Sequence, residues 1–309
     1  LFIKNRKVRE YHMIIDRLFD TIAEKGHVCV GLDTDILYIP KSFMKKFEKV
    51  GDAIFEFNKA IIDETIDHVA CYKPQIAYYE AYGLEGLRAY SNTLKYIKEK
   101  GAISIGDIKR GDIAKTAEMY AKAHFEGEFE ADFITLSPYM GLDSIEPYLP
   151  YIENSEKGVF VLIRTSNKGS KDIQYIETKG GRKVFNVVGE TINKLGKNYI
   201  GKSGYSSIGG VIGCTHVDEG IEIRNSLDST FFLIPGYGAQ GGKAEDVALY
   251  LKDGNGGVVN SSRGIMLAYK GKLDGEENFA KYAKEEAIRM KSEIITTVNA
   301  IQLYCMALY

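Results

Sequence analysis

The chain has 309 residues, with 40 Lys and Arg against 42 Asp and Glu, a formal net charge of −2 and 45% hydrophobic residues, enough for one large core or two modest ones. Near-balanced charge without a long block of one sign argues against a nucleic-acid or polyanion surface, so any anion site must be local and built from a few placed cations. No apolar run approaches the roughly 18 residues of a membrane span, and the opening "LFIKNRKVREYH" lacks the apolar core and cleavage site of a signal peptide.

Met13 opens a good amphipathic helix, "MIIDRLFDTIAEKG", so residues 1–12 are expected to be a leader or a cloning remnant and residues 13–309 one domain. Short apolar runs then alternate with helical patterns. The strand candidates are "VCVGLD" (28–33), "VACYK" (69–73), "AISIGD" (102–107), "DFITL" (132–136), "VFVLI" (159–163), "GGVIG" (209–213), "FFLIP" (231–235) and "GVVN" (257–260). Near-continuous apolar strands imply burial on both faces, hence a parallel sheet covered by helices. Eight such units point to α/β architecture, a closed (β/α)8 TIM barrel; the alternative, a doubly wound open sheet, lacks a GxGxxG fingerprint after the first strand.

Among the helical segments, "GLEGLRAYSNTLKYIKEKG" places Leu84, Leu87, Leu94 and Ile97 loosely on one face. The polar stretch 164–183 exceeds a minimal barrel and reads as a lid or binding loop. An extra C-terminal helix from about 277 reads as packing against the barrel. Cys29, Cys71, Cys214 and Cys305 show no CxxC spacing; Cys29 and Cys71, in apolar runs, read as packing residues in a reducing, cytoplasmic setting. His68, His124 and His216 lack metal-ligand spacing and read as surface or capping residues.

In a barrel of this kind, catalytic residues sit at the C-terminal ends of strands. Those positions carry Asp33 after strand 1, Lys73 after strand 2, and "GDIKRGDIAKT" (106–116) with Asp107, Lys109 and Asp112 after strand 3. Side chains two apart on an extended strand share a face, which would turn Asp107 and Lys109 together into the barrel mouth. A lysine held between carboxylates is a fixed positive charge and a proton donor. The loops after strands 7 and 8, "PGYGAQGG" and "NSSRG", offer closely spaced glycines, Gln240 as a donor and Arg263 as a guanidinium fork, which fits a phosphate.

"DIKRGDIAKT" resembles the DxKxxDI–T signature of the orotidine 5′-phosphate decarboxylase family, and "GLD", "YKPQ", "RTSN", "PGYGAQGG" and "NSSRGI" follow in the family's order across roughly residues 13–270. The wording is similar to the family's larger bacterial type. The resemblance implies decarboxylation of orotidine 5′-phosphate to UMP, the last step of UMP synthesis, without cofactor or metal. By it, Asp33 and Lys73 bind ribose hydroxyls, Asp107 holds Lys109, and Lys109 protonates C6. Asp112, with Ile113 and Thr116, reaches the neighbouring subunit's site in a homodimer. Ser166 bonds the pyrimidine edge, with Thr165 and Asn167 as alternatives in the same loop. Pro235 lines the pocket, and Gln240 and Arg263 hold the phosphate. Position 262 departs from the pattern, carrying Ser where many members have Gly. Two other readings compete: a metal-dependent sugar-phosphate enzyme of the wider superfamily, and a non-catalytic phosphate-binding barrel.

Overall fold

The computed structural model describes residues 13–154, 156–214, 219–238 and 241–307. Each of the eight apolar runs forms a strand: β1 (Val28–Leu32), β2 (Cys71–Pro74), β3 (Ile103–Arg110), β4 (Phe133–Leu136), β5 (Gly158–Arg164), β6 (Ser206–Ile212), β7 (Thr230–Ile234) and β8 (Gly257–Ser261). Every strand pairs in parallel with the next, and β8 closes on β1 with Val28 opposite Val259 and Cys29 opposite Asn260. The expected (β/α)8 barrel is therefore the fold. The helices are α1 (Ile14–Lys25), α2 (Lys41–Met44), α3 (Val50–Thr65), α4 (Ile76–Glu80), α5 (Gly83–Glu99), α6 (Ala114–Phe125), α7 (Leu149–Glu153), α8 (Val184–Gly196), α9 (Gly220–Ser226), α10 (Ala244–Ala248), α11 (Arg263–Met266) and α12 (Phe279–Ala307). None of the helices among the described residues is long and apolar enough to cross a membrane.

Strand alternation divides the core in two. One set of side chains, among them Val28, Val30, Tyr72 and Ile134, faces outward and packs with Ile54, Phe57, Ile61, Leu94 and Ile97 of the surrounding helices. The other set, including Cys29, Cys71, Ile103, Ile105, Phe133, Phe160, Phe231 and Val258, fills the barrel and meets Ile14, Ile15, Leu18 and Ile22 of α1. The apolar face of α1 thus plugs the N-terminal end, leaving the C-terminal end as the open mouth. Small residues make room for the inner rings: a Cβ on Gly158 would lie 2.3 Å from the Phe133 ring, and one on Gly209 2.6 Å from the Phe160 ring. α12 presses a stripe of Ala283, Ala287, Met290, Ile294 and Val298, all buried, against the barrel's outer helices; full burial of each Met or Ile is worth about 1.5–3 kcal/mol.

Two expectations need correction. The loose leucine face on residues 83–99 is buried only in part: Leu94 and Ile97 are buried and Leu87 half-buried against the core, but Leu84 is not. Leu84 is 82% exposed, and the inner face is built from Gly86, Ala89, Tyr90, Thr93, Leu94 and Ile97. Small residues set this face because backbones approach closely there: a Cβ on Gly86 would meet the Tyr79 carbonyl oxygen at 2.0 Å, and one on Gly51 the Glu85 carbonyl oxygen at 2.4 Å. His124 is not a surface residue. It is buried at the end of α6, its ring 6.1 Å from that of Phe129, and burial pushes its imidazole down to about 4. His68 is half-exposed, and His216 lies outside the described residues, as do residues 1–12.

Candidate active site

The inward rows change character one step above the apolar core. Two residues on from Cys71 comes Lys73, from Ile105 Asp107, from Phe133 Thr135, and from Val258 Asn260. These four line a cavity of about 520 Å³ at the barrel mouth, with Leu162, Val211, Leu233 and Pro235 as its apolar wall. Asp33, Lys109, Ser166 and Arg263 line the same cavity. Eight separate chain segments converge because each ends a strand of one closed sheet.

Asp107 is the hub. It is 6% exposed and accepts hydrogen bonds from Lys73 Nζ at 2.7 Å, Lys109 Nζ at 2.6 Å and Thr135 Oγ1 at 2.9 Å. Burial works to raise its pKa, but the Lys73 and then the Lys109 ammonium hold the carboxyl well below the usual carboxylate range. Lys73 is equally buried; desolvation acts to lower its pKa, yet Asp107 and Asp33 raise it above that of an ordinary lysine. Asp33 Oδ1 lies 3.7 Å from Lys73 Nζ and is a buried oxygen without a hydrogen bond among the described residues, placed to accept a ligand hydroxyl. Among the described residues no group of three or more His, Cys, Asp or Glu side chains is arranged to hold a metal ion.

Simple strand alternation does not bring Lys109 to Asp107. The β3–β4 register shifts between Gly106 and Arg110, and Lys109 has φ +46°, a left-handed conformation that costs a non-glycine residue about 1–3 kcal/mol. Thr135 holds this turn: its Oγ1 accepts from Ile108 N at 3.0 Å and Lys109 N at 2.9 Å while donating to Asp107. Strand β3 thus runs to Arg110, past the expected end at 107, and Lys109 curls back over the carboxylate. Thr135 escaped the sequence reading, although its place two residues after Phe133 on β4 marks it as inward-facing.

The loop after β5 separates Ser166 from its alternatives. Thr165 Oγ1 donates to Asn167 Oδ1 at 2.6 Å and accepts from Gln174 Nε2 at 2.8 Å, while Gln174 Oε1 accepts from Thr165 N at 2.9 Å. The Thr165 hydroxyl and the Asn167 carbonyl oxygen are therefore engaged, and Ser166 is the cavity-lining hydroxyl of the three without such a bond among the described residues. Beneath them Arg164, fully buried, donates to Glu219 Oε2 at 2.8 Å, and Glu219 also accepts from Tyr175 at 2.9 Å and Lys183 at 2.6 Å. The long stretch after β5 is thereby stapled to the barrel.

Arg263 opens α11 and faces the cavity without an ion pair among the described residues. Ser262 explains the glycine at 31: a Cβ there would sit 1.9 Å from Ser262 Oγ, and that hydroxyl accepts from Asn260 Nδ2 at 3.3 Å. The larger residue at 262 is accommodated by the absent side chain on β1. Gln240 lies outside the described residues. Asp112, Ile113 and Thr116 do not line the cavity of their own chain. Asp112 accepts from Ile113 N at 2.8 Å, and Ile113 and Met119 stand on the surface, 46% and 49% exposed, as do Tyr139 and Met140. Tyr38, Gln75 and Tyr78 complete the cavity wall; they sit on irregular or short helical segments just past β1 and β2, where periodicity carries no signal.

A barrel mouth holding a Lys–Asp–Lys array around a buried carboxylate, and an arginine without an ion pair among the described residues, defines an enzyme of the TIM-barrel class. Residues 26–277 match the model of the Orotidine 5′-phosphate decarboxylase / HUMPS family. The chain is 68% identical over 286 residues to an orotidine 5′-phosphate decarboxylase of Clostridium acetobutylicum, covering 93% of this chain and 100% of that one. It is 64% identical over 283 residues to the protein of that name from Clostridium kluyveri, covering 92% and 97%. The solved structure of Leishmania donovani OMP decarboxylase is similar at 32% identity with a TM-score of 0.70, covering 91% of this chain and 99% of that one. The chain belongs to the orotidine 5′-phosphate decarboxylase / HUMPS family.

Proposed function

We propose that this enzyme decarboxylates orotidine 5′-phosphate to UMP and CO2, the last step of UMP biosynthesis, with no cofactor. The observation that carries the reading is Asp107, buried and bonded by both Lys73 and Lys109 in a cavity whose wall also holds Arg263. In the reaction the bond from C6 to the carboxylate carbon breaks, CO2 leaves, and the electron pair stays on C6. Lys109 supplies positive charge where that pair develops and then gives C6 its proton; solvent reprotonates the amine. Asp107 aims the ammonium. Asp33 Oδ1 and Lys73 are suited to ribose hydroxyls, Ser166 to the pyrimidine edge, Pro235 to the ring face, and Gln240 and Arg263 to the phosphate. Binding of that remote phosphate supplies energy for closing the site around the reacting carbon.

A metal-dependent reading fits poorly, because both Asp107 oxygens are already engaged by ammonium groups that a cation would have to displace. The assembly proposed is a homodimer in the cytoplasm, with Asp112, Ile113 and Thr116 lent to the partner's cavity. Their place outside their own cavity, beside exposed Ile113, Met119, Tyr139 and Met140, supports that arrangement. The test is loss of the orotate chromophore when purified enzyme, exhaustively chelated, meets orotidine 5′-phosphate. Full activity is expected; activity that disappears on chelation and returns with Mg2+ would overturn the cofactor-free reading.

A further inference from the structure

The loop after β7 is held from behind by the C-terminal helix. Gly236 and Gly238 have φ of +104° and +68°, and the loop folds on itself through Gly238 N to the Gly242 carbonyl at 2.8 Å and Gly242 N to the Gly236 carbonyl at 3.0 Å. Between the two glycines Tyr237, 6% exposed, lines the cavity. Its phenol leaves the loop and donates to Glu293 Oε2 of α12 at 2.7 Å. Arg289 Nη1 donates to the same oxygen at 2.6 Å, and Arg289 forks onto Glu286 at 2.8 and 2.7 Å. α12 also packs against α10, which follows the glycine loop, and against α11, which opens with Arg263. One helix therefore backs both sides of the anion-facing wall, and Glu293 lies beyond residue 277, where the family match ends.

A surface Arg–Glu pair one turn apart would contribute little. Glu293 differs because its other partner is a buried tyrosine in a loop of left-handed glycines. Such a backbone has many alternative conformers, and ordering it at the moment of binding would weaken the grip on a ligand. Burial and then Glu293 push the Tyr237 phenol up, so it remains a donor at neutral pH.

We propose that Glu293 is a positioning residue for the substrate's 5′-phosphate: through Tyr237 it holds Gly236 and Gly238 in the left-handed conformations that place their backbone for the anion. The proposal rests on the reading of the β7 and β8 loops as the phosphate side. It is tested with Glu293→Ala, Tyr237→Phe, their double variant and Glu293→Gln, each assayed on orotidine 5′-phosphate and on orotidine. The ratio of kcat/KM for nucleotide over nucleoside is expected to fall about tenfold in each single variant, the size of one hydrogen bond to a charged group. The double variant should fall no further, and Glu293→Gln, which keeps an acceptor for the phenol, should recover most of the loss. An unchanged ratio, equal losses on both substrates, or additive losses in the double variant would overturn the proposal. Tyr237→Phe removes one oxygen atom and keeps the test decisive if Glu293→Ala folds poorly. Arg263→Ala runs beside them: if it leaves the ratio unchanged while Glu293→Ala lowers it, Arg263 is not the phosphate contact and the role of Glu293 stands. If neither lowers the ratio, both readings fail.

Discussion

Removing Lys73 should cost much more stability than removing Lys109, although both bond the same carboxylate. The Lys73 side chain is 6% exposed and that of Asp107 8%, at 2.7 Å; the Lys109 side chain is 45% exposed at 2.6 Å. Breaking a buried pair leaves an uncompensated charge and costs about 3–5 kcal/mol, whereas a half-exposed pair is worth about 1 kcal/mol or less. Lys73→Ala does not leave Asp107 wholly unpaired, because Lys109 and Thr135 remain, so about 3 kcal/mol is the expected loss. Asp107→Ala leaves Lys73, among the described residues, with Asp33 alone at 3.7 Å and should lose at least as much. Lys109→Ala should lose about 1 kcal/mol, the strain of the left-handed position being unchanged because alanine keeps its Cβ. Urea unfolding followed by circular dichroism measures each value, and a Lys73/Asp107 double-variant cycle should give a coupling of about 2–3 kcal/mol. Equal destabilisation by Lys73→Ala and Lys109→Ala, or a coupling near zero, would refute the division into a buried structural pair and an accessible reactive amine.

If Asp112 serves the partner's cavity, Lys109→Ala and Asp112→Ala homodimers should both be nearly inactive. Unfolded and refolded together, about half their dimers are mixed with one intact site each, so activity should return to about a quarter of wild type by symmetry; mixed dimers confirmed by mass that regain nothing would place Asp112 in its own subunit. His124 is buried with its folded pKa down at about 4, below the unfolded value, so its contribution is present above about pH 6.5 and is lost as pH falls toward 4, reaching about 3 kcal/mol. His124→Gln should flatten stability across that window, while protonation of Asp107, held well below the usual range, acts only at lower pH; an unchanged slope between pH 6.5 and 4 would contradict the burial argument. Gln174→Ala frees the Thr165 amide and hydroxyl, and KM should rise about tenfold with kcat less affected; a neutral result beside a costly Ser166→Ala would mean that the loop supports itself.

The strands and the charged residues at their ends were legible because burial on both faces writes an apolar run and burial at the mouth writes a charge just past it. Each of the eight runs became a strand, and Asp33, Lys73, Asp107, Lys109, Ser166, Pro235 and Arg263 share one cavity. The route by which Lys109 gets there was not legible: a register shift and a left-handed residue depend on Thr135, 26 positions away in sequence. His124 was misread because periodicity alone cannot tell a helix's inner face from its end, and the Phe129 turn that covers it follows the helix. Leu84 failed for the opposite reason, since the α3–α5 contact is set by glycines rather than by the largest apolar side chains. The long stretch after β5 read as loop on polarity, but its anchor, Arg164 with Glu219, joins groups 55 residues apart.

The role of Lys109 is tested most directly by following the orotate chromophore of saturating orotidine 5′-phosphate with wild type and Lys109→Ala, together with UMP binding to each. The wild type should turn the substrate over without added metal. Lys109→Ala should remain folded and bind UMP, yet lose at least about a thousandfold in kcat, because charge stabilisation and proton delivery go together. A Lys109→Ala enzyme retaining kcat within about tenfold of wild type would contradict the assignment of Lys109 as the group that protonates C6.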